Sequence, residues 1–153
     1  MTEPNKLEIH RVMHEIKRRR LEVLRVKDIT PRMRRITVGG PQLAGFVSLG
    51  ADDHIKLLFP QNAAEQAALD SPDFSLQGDG PTPAMRDYTP RRFDLEMGEL
   101  DIDFVLHGDG PASTWAEQVK VGQHLHIGGP RGSMIVPDIF DSYLLIGDET
   151  AIP

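Results

Sequence analysis

The chain has 153 residues, 39% of them apolar and 26% charged, with a formal net charge of −6. That balance fits one soluble globular domain with a single core, and the acidic sign argues against general nucleic-acid binding. The absence of cysteine removes disulfides, thiolate nucleophiles, cysteine-held iron–sulfur clusters and thiolate zinc sites together.

The N-terminus, MTEPNKLEIH, has no apolar signal segment, and no apolar run is long enough to span a bilayer, so a cytoplasmic location is expected. Residues 5–20 predict a helix: Ile9, Val12, Met13 and Ile16 fall at i, i+3, i+4 and i+7, and Lys17–Arg20 suit a helix C-terminus. From Leu21 the period becomes two. Leu21 and Val23, then Leu24 and Val26, alternate with a phase slip between them, which predicts a bulge. Thr30-Pro31 predicts a turn into a second strand, Met33–Val38, closed by Gly39-Gly40-Pro41; Leu43 and Phe46 follow in a short loop. Asp52, Asp53 and His54 read as a loop edge before a third strand over Ile55, Leu57 and Phe59, ended by Pro60. Ala63–Leu69 fits two turns of helix, and SPDFSLQGDGPTPA reads as a long loop.

Strands resume with Asp87–Phe93, continuing through Leu95 and Met97 to a turn at Gly98. Leu100, Ile102, Phe104 and Leu106 then alternate against Asp101, Asp103, Val105 and His107, a strand with one buried face. The loop HGDGPAST leads into a helix over Thr114–Lys120. Thr114 and Glu117 have capping-box spacing there, and Trp115 and Val119 share a face. Leu125 and Ile127 mark a further strand, GGPRGS a tight loop, and Leu144–Ile146 a buried run before Gly147. Six or seven short strands joined by Gly/Pro turns predict an antiparallel barrel or sandwich. The closing YLLIGDETAIP reads as a parallel strand that opens an α/β unit.

Two stretches carry candidate chemistry. In MRDYTPRRFD, residues 85–94, Arg86, Arg91 and Arg92 surround Tyr88 and Thr89, and Pro90 points to an edge strand or bulge. Arginine grips phosphate bidentately, tyrosine offers a flat face, and threonine offers a short donor and acceptor, so together they suit a dinucleotide with an aromatic head. The other reading pairs Arg91 and Arg92 with Asp87, Asp94 or Glu96 on a solvated face, with Tyr88 half-buried. The second stretch, residues 108–114, is a glycine-rich approach to a helix N-terminus, where free N–H groups and the hydroxyls of Ser113 and Thr114 suit phosphate; it also reads as an ordinary capped helix. No metal site is expected: His10 and His14 lack an H-E-x-x-H context, and His124 and His126 read as a solvated strand face. Ser133 follows Gly132 without a nucleophile-elbow motif, and no histidine is near it in sequence.

Six stretches together carry a resemblance: RVKDITPRMRRITVGGPQLAGF, DDHIKLLFP, RDYTPRRFD, LDIDFVLHGDGPASTWAEQVKVG, GGPRGS and LLIGDETAIP. In them the sequence resembles the siderophore-interacting proteins, flavin-dependent ferric-siderophore reductases related to the ferredoxin reductase superfamily. The resemblance implies an all-β fold: a six-stranded antiparallel Greek-key barrel of the ferredoxin reductase FAD-binding type over residues 21–141, with one short helix at the phosphate loop. It is preceded by a helical extension, residues 1–20, and followed by the first strand of a truncated NAD(P)H-binding-like α/β domain, residues 142–153. It also implies FAD as cofactor, NAD(P)H or another donor, and a ferric siderophore as substrate. Under it, Arg86 contacts the diphosphate, Tyr88 lies against the flavin ring, Thr89 tunes its reactive nitrogen, and Arg91 makes a second phosphate or flavin-edge contact. His107 lies near the flavin or diphosphate, and Gly110, Pro111, Ala112, Ser113 and Thr114 form the pyrophosphate loop. Trp115 packs rather than stacks, and Arg92 is a solvated charge whose loss is silent. Residues 143–153 form a strand whose exposed apolar edge promotes self-association. A flavin-dependent reductase of another acceptor, and a non-catalytic phosphate-ligand or protein-binding barrel, are the competing readings.

Overall fold

Period-two alternation dominates the structure, a computed structural model that describes residues 7–75 and 78–153. The strands are β1 (His10–Met13), β2 (Arg18–Thr30), β3 (Met33–Gly39), β4 (Ile55–Phe59), β5 (Ala84–Tyr88), β6 (Pro90–Asp94), β7 (Glu99–Val105), β8 (His124–Gly128) and β9 (Gly132–Ile135). Two helices, α1 (Ala63–Asp70) and α2 (Pro111–Gln118), interrupt them. Seven strands make one antiparallel sheet in the order β5-β4-β8-β2-β3-β7-β6, while β1 and β9 pair separately.

The predicted phase slip is a bulge: the β2–β3 register shifts between Val23 and Arg25, so Leu24 is the extra residue. The stretch predicted as one strand, Asp87–Phe93, is two. Pro90 has no N–H to donate, and the chain leaves β4 after Tyr88 to join β7 from Pro90 onward. The two edges of the seven-stranded sheet are therefore joined through Thr89 alone, which requires the sheet to curl.

Inward-facing residues of five strands fill the curl. Leu21, Val23, Ile36, Val38, Ile55, Leu57, Phe59, Leu100, Ile102, Phe104, Leu125 and Ile127 belong to one buried cluster. Ala112 and Ala116 of α2, with Val119 just after it, join the same cluster and plug one end, and Leu43 and Phe46 join it from the stretch after β3. Each large side chain buried this way contributes about 1.5–3 kcal/mol.

Three expectations fail for physical reasons. No helix forms in the described part of residues 5–20; residues 5 and 6, and the rest of the 1–20 extension up to residue 4, lie outside the described residues. The stripe meant to anchor it has no core to face: Ile9, Met13 and Ile16 are each at least 58% exposed. Backbone pairing wins there instead, β1 against β9 and Arg18–Glu22 against β8. Residues 142–147 form no strand, and Leu144–Ile146 are 85–91% exposed, because no described strand pairs with them. The polar face of β7 is not solvated. Glu99, Asp101 and Asp103 are buried under cross-strand arginines. Arg25 donates to both oxygens of Glu99 at 2.7 and 2.8 Å, and Arg35 to both of Asp103 at 2.7 and 3.0 Å. Arg92 donates to Asp101 and Glu99, each at 2.9 Å, and Thr37 donates to Asp101 at 2.6 Å.

Arg92 is exposed, yet it is tied to two nearly buried carboxylates and is not a silent charge. Its removal leaves them short of a donor, so Arg92→Ala is expected to lower the urea unfolding midpoint. The pH profile is expected to fall in two successive windows that meet near pH 4. Burial lowers His126 to about 4 from its ordinary 6.5, with nearby Arg18 adding to the effect. The unfolded chain takes up that proton first, so this contribution is present above pH 6.5 and is lost as pH falls towards 4. Arg25 and Arg92 hold Glu99 at about 2 against an ordinary 4.5, so its contribution is lost only between those values. Denaturant titrations of His126→Gln should flatten the upper window and leave the lower one in place.

Candidate functional site

The link between the sheet edges and the loop before α2 meet at one cavity of about 300 Å³. Arg86, Tyr88 and Thr89 line it from the end of β5, Asp103 and His107 from β7 and its extension, and Gly110–Ser113 from the helix start. Tyr88 is half-buried and lies on Phe104, with ring centroids 4.6 Å apart and planes tilted by 36°; burial raises the pKa of its phenol. Arg86 is exposed, donates to the Met85 carbonyl at 2.7 Å, and has no acidic partner within salt-bridge distance among the described residues. Its neighbour Asp87 is held by Lys56 at 2.8 Å. Asp103, in the cavity wall, is committed to Arg35.

The loop earns its glycines. Gly108 and Gly110 have φ of 80° and 85°, values that side-chain-bearing residues rarely adopt. Pro111 then takes the first helical position, where a missing N–H is tolerated and φ is preset. The helix therefore starts three residues before Thr114. The expected Thr114–Glu117 cap is not formed, and the first helical bond runs from Thr114 N–H to the Gly110 carbonyl at 3.1 Å. The N–H groups of Ala112 and Ser113 lie in the first turn, where no earlier helical carbonyl can accept from them. Ser113 is fully buried, and its Oγ accepts from the His107 N–H at 3.1 Å, which fixes the shape of the loop.

Eight of the ten expected cofactor-binding residues line this cavity. Arg91 does not: its guanidinium turns to Asp103, 3.9 Å away, behind the wall. Thr114 instead lines a larger cavity of about 1040 Å³ on the far side of Gly110 and Pro111, which themselves line both. This second space was not foreseen. Its walls include Phe59, Gln61, Trp115, Lys120, His124 and His126. Trp115 packs as expected, 5.7 Å from Phe59 and 5.6 Å from Phe104 between ring centroids, while also lining the cavity. His126 corrects the expectation of a solvated face: it is 7% exposed and neither ring nitrogen has a hydrogen-bond partner among the described residues. Only the outward parity of β8 hinted at it; the helix over Ala63–Leu69 was foreseen, but not that its end, Asp70, lies beside His126.

Asp53 also departs from its reading as a loop edge. It is buried and accepts from Ser133, Ser48 and the Leu49 N–H, while His14 Nε2 lies 2.7 Å from Ser133 Oγ. Serine stands between acid and imidazole and is 1% exposed, so the chain of bonds fastens residues 48–53 to β9 and is not a nucleophilic triad. Among the described residues no histidine and acid group of three or more could hold a metal ion, and no helix is long and apolar enough to cross a membrane.

The model of the siderophore-interacting FAD-binding domain matches residues 22–134, which take in most of the curled sheet, α2 and the residues of the RDYT stretch and the glycine loop. The chain belongs to that family. It is 43% identical over 147 residues to the NADPH-dependent ferric-chelate reductase of Escherichia coli K12, covering 94% of this chain and 56% of that protein. It is 33% identical over 138 residues to the ferric vibriobactin reductase ViuB of Vibrio cholerae, covering 88% of this chain and 51% of that one. The crystal structure of a siderophore utilization protein from T. fusca superposes with a TM-score of 0.74 at 39% identity, over 86% of this chain and 51% of the other. The chain spans about half the length of the curated relatives it matches.

The loop geometry gives a test that needs no ligand. Ser113→Ala frees the His107 N–H and removes a bond across the turn, so a loss of about 1 kcal/mol in unfolding free energy is expected, with faster amide exchange at His107 than in the native chain.

Proposed function

We propose that this chain is the FAD-binding part of a ferric-siderophore reductase. The observation that carries the reading is one cavity in which Arg86, free of any acidic partner among the described residues, meets an aromatic face, a threonine and a helix N-terminus. That donor set fits FAD. The N–H groups of Ala112 and Ser113 and the Arg86 guanidinium bind a diphosphate from two sides. Tyr88, held against Phe104, orients the flavin ring, and Thr89 offers a hydroxyl at its reactive edge. The larger cavity, which shares Gly110 and Pro111, has room for the adenosine half, and FMN has no such half. Bound FAD supplies the conversion of a two-electron donor such as NAD(P)H into one-electron reduction of the substrate, siderophore-held Fe(III). Fe(II) is then released, because hard oxygen ligands hold it less well. No side chain needs to move a proton as general base; the protein's part is to bind, orient and leave one flavin edge open.

The same reading closes the curled sheet into a six-stranded Greek-key barrel, with β5 and β6 counted as one strand broken at Thr89. Residues 142–153 then open an NAD(P)H-binding-like unit, which suits the exposed run Leu144–Ile146 and relatives about twice as long. The reading places the protein in the cytoplasm. Left uncovered, that run promotes self-association, which sedimentation of the chain with and without 143–153 measures.

Released cofactor is expected to chromatograph as FAD; FMN as the sole species would contradict the reading. In fluorescence titrations Arg86→Ala is expected to weaken FAD roughly 10- to 150-fold, the equivalent of a charge-assisted bond of about 1.5–3 kcal/mol. Tyr88→Ala should weaken it less but shift the bound flavin's absorption bands. Arg91→Ala should leave affinity within about threefold, since Arg91 faces Asp103 outside the cavity. Anaerobic photoreduction of the FAD-loaded chain, followed by a ferric siderophore and a chromogenic Fe(II) trap, tests the chemistry directly. Reoxidation with stoichiometric Fe(II) is expected, and flavin that stays reduced would remove the reductase assignment.

A further inference from the structure

Arg19 is the one buried arginine among the described residues, and it lacks what more exposed ones have. Arg25, Arg34, Arg35 and Arg92 each have a carboxylate within 2.9 Å. Arg19 is 5% exposed, yet it has no carboxylate within 4.0 Å and no side-chain hydrogen bond among the described residues, and its buried Nε is unpartnered. It shares the inward parity of Leu21 and Val23, but it lies where the apolar core runs out. That is the end of the curl away from α2, whose following turn meets β2 at Val23. Phe46 offers only a ring face, 5.5 Å from the guanidinium carbon. Arginine does not escape burial by losing its proton, so an uncompensated guanidinium there is costly. Burial lowers its pKa, and Glu15 offsets that only in part.

Arg19 lines a cavity of about 410 Å³ at this mouth. Met13, Ala44, Val47 and Pro130 give it apolar walls, and Lys17 adds a second cation. The other titratable groups facing it are Glu15, which is exposed, and His14, which is bonded to Ser133. None of its lining residues belongs to the flavin cavity or the larger one. A planar carboxylate matches the guanidinium fork, and the apolar walls suit a carbon skeleton better than a bare inorganic ion. We infer that the mouth of the curled sheet binds a small organic carboxylate, with its acid group on Arg19. This site stands whether or not the chain binds FAD.

The test is thermal unfolding of the purified chain in sodium succinate against sodium chloride and sodium sulfate at equal ionic strength. Succinate is expected to raise Tm saturably, by roughly 5 °C at a hundredfold excess over the midpoint, with no saturable rise in chloride or sulfate. Arg19→Met should lose the rise and keep a Tm no lower than the native chain in chloride. Arg19→Lys, which keeps the charge without the fork, should respond with a midpoint at least about tenfold higher and serves alone if the methionine variant does not fold. No saturable response in the native chain, an equal response in sulfate, or an unchanged midpoint in either Arg19 variant would overturn the assignment.

Discussion

A single residue, Thr89, ties the two edges of a seven-stranded sheet together. Tyr88 pairs with Ile55 on β4, and two residues later Pro90 pairs with Ile102 on β7. Two residues of extended chain span at most about 7 Å. The sheet must therefore curl until its first and last strands nearly touch. Once it curls, the inward parity of every strand converges on one core, and one end is left for α2 to plug. The ring and cation at the end of β5 come to lie beside the loop that starts α2. The candidate site is a consequence of closing the curl there, and it needs no further long-range device.

Closing a curl through a proline-containing edge leaves the outer face of β7 exposed to a shortage of cover. The solution is electrostatic rather than apolar. Glu99, Asp101 and Asp103 alternate along that face, and their cross-strand neighbours on β3 and β6 supply Arg35, Thr37 and Arg92 in register. Arg25 reaches over from β2. Bidentate geometry satisfies several carboxylate lone pairs at once, which is the condition under which a mostly buried ion pair holds a strand in register rather than destabilising it. A one-residue slip between β3 and β7 would put Ile36 opposite an aspartate and Arg35 opposite a leucine-face position, so the network and the core specify the same register.

Much of this was legible in the residues. Alternation located β2, β3, β4, β7 and β8, the slip at Leu24 located the bulge, and Ala63–Leu69 located α1. The motif RDYT and the loop GDGPAS pointed to residues that do share a cavity. What escaped reading depended on partners distant in sequence. The i, i+3, i+4, i+7 stripe at Ile9–Ile16 has the helical period, but period alone does not say whether a core faces it; β9 offered an edge instead. Leu144–Ile146 reads as buried because burial is the usual fate of three apolar residues in a row, and no described strand is there to bury it. Arg92 looked silent because its acids, Glu99 and Asp101, are brought to it by strand pairing, and His126 looked exposed because α1 comes beside it only in three dimensions.

The pairing of β7's acids also explains how a chain of net charge −6 leaves one arginine of the candidate site without an acid of its own among the described residues. Global charge acts over roughly a Debye length, about 8 Å at physiological ionic strength, so what an incoming phosphate meets is set by the nearest few groups. Four carboxylates line the cavity, Asp87, Asp103, Asp109 and Glu149, and the two from the strands are taken up by cations. Asp87 is taken by Lys56, and Asp103 is taken by Arg35, with Arg91 behind it. Both are neutralised by cations that point away from the cavity, and Arg86 has no acid of its own among the described residues. The three arginines of the motif thus divide their work by strand geometry. Arg92 and Arg91 face β7 and hold its acids, and Arg86, on the other edge, is the one left with a charge to offer. The break at Thr89 puts Arg86 on the strand that pairs with β4, while Arg92 pairs with β7.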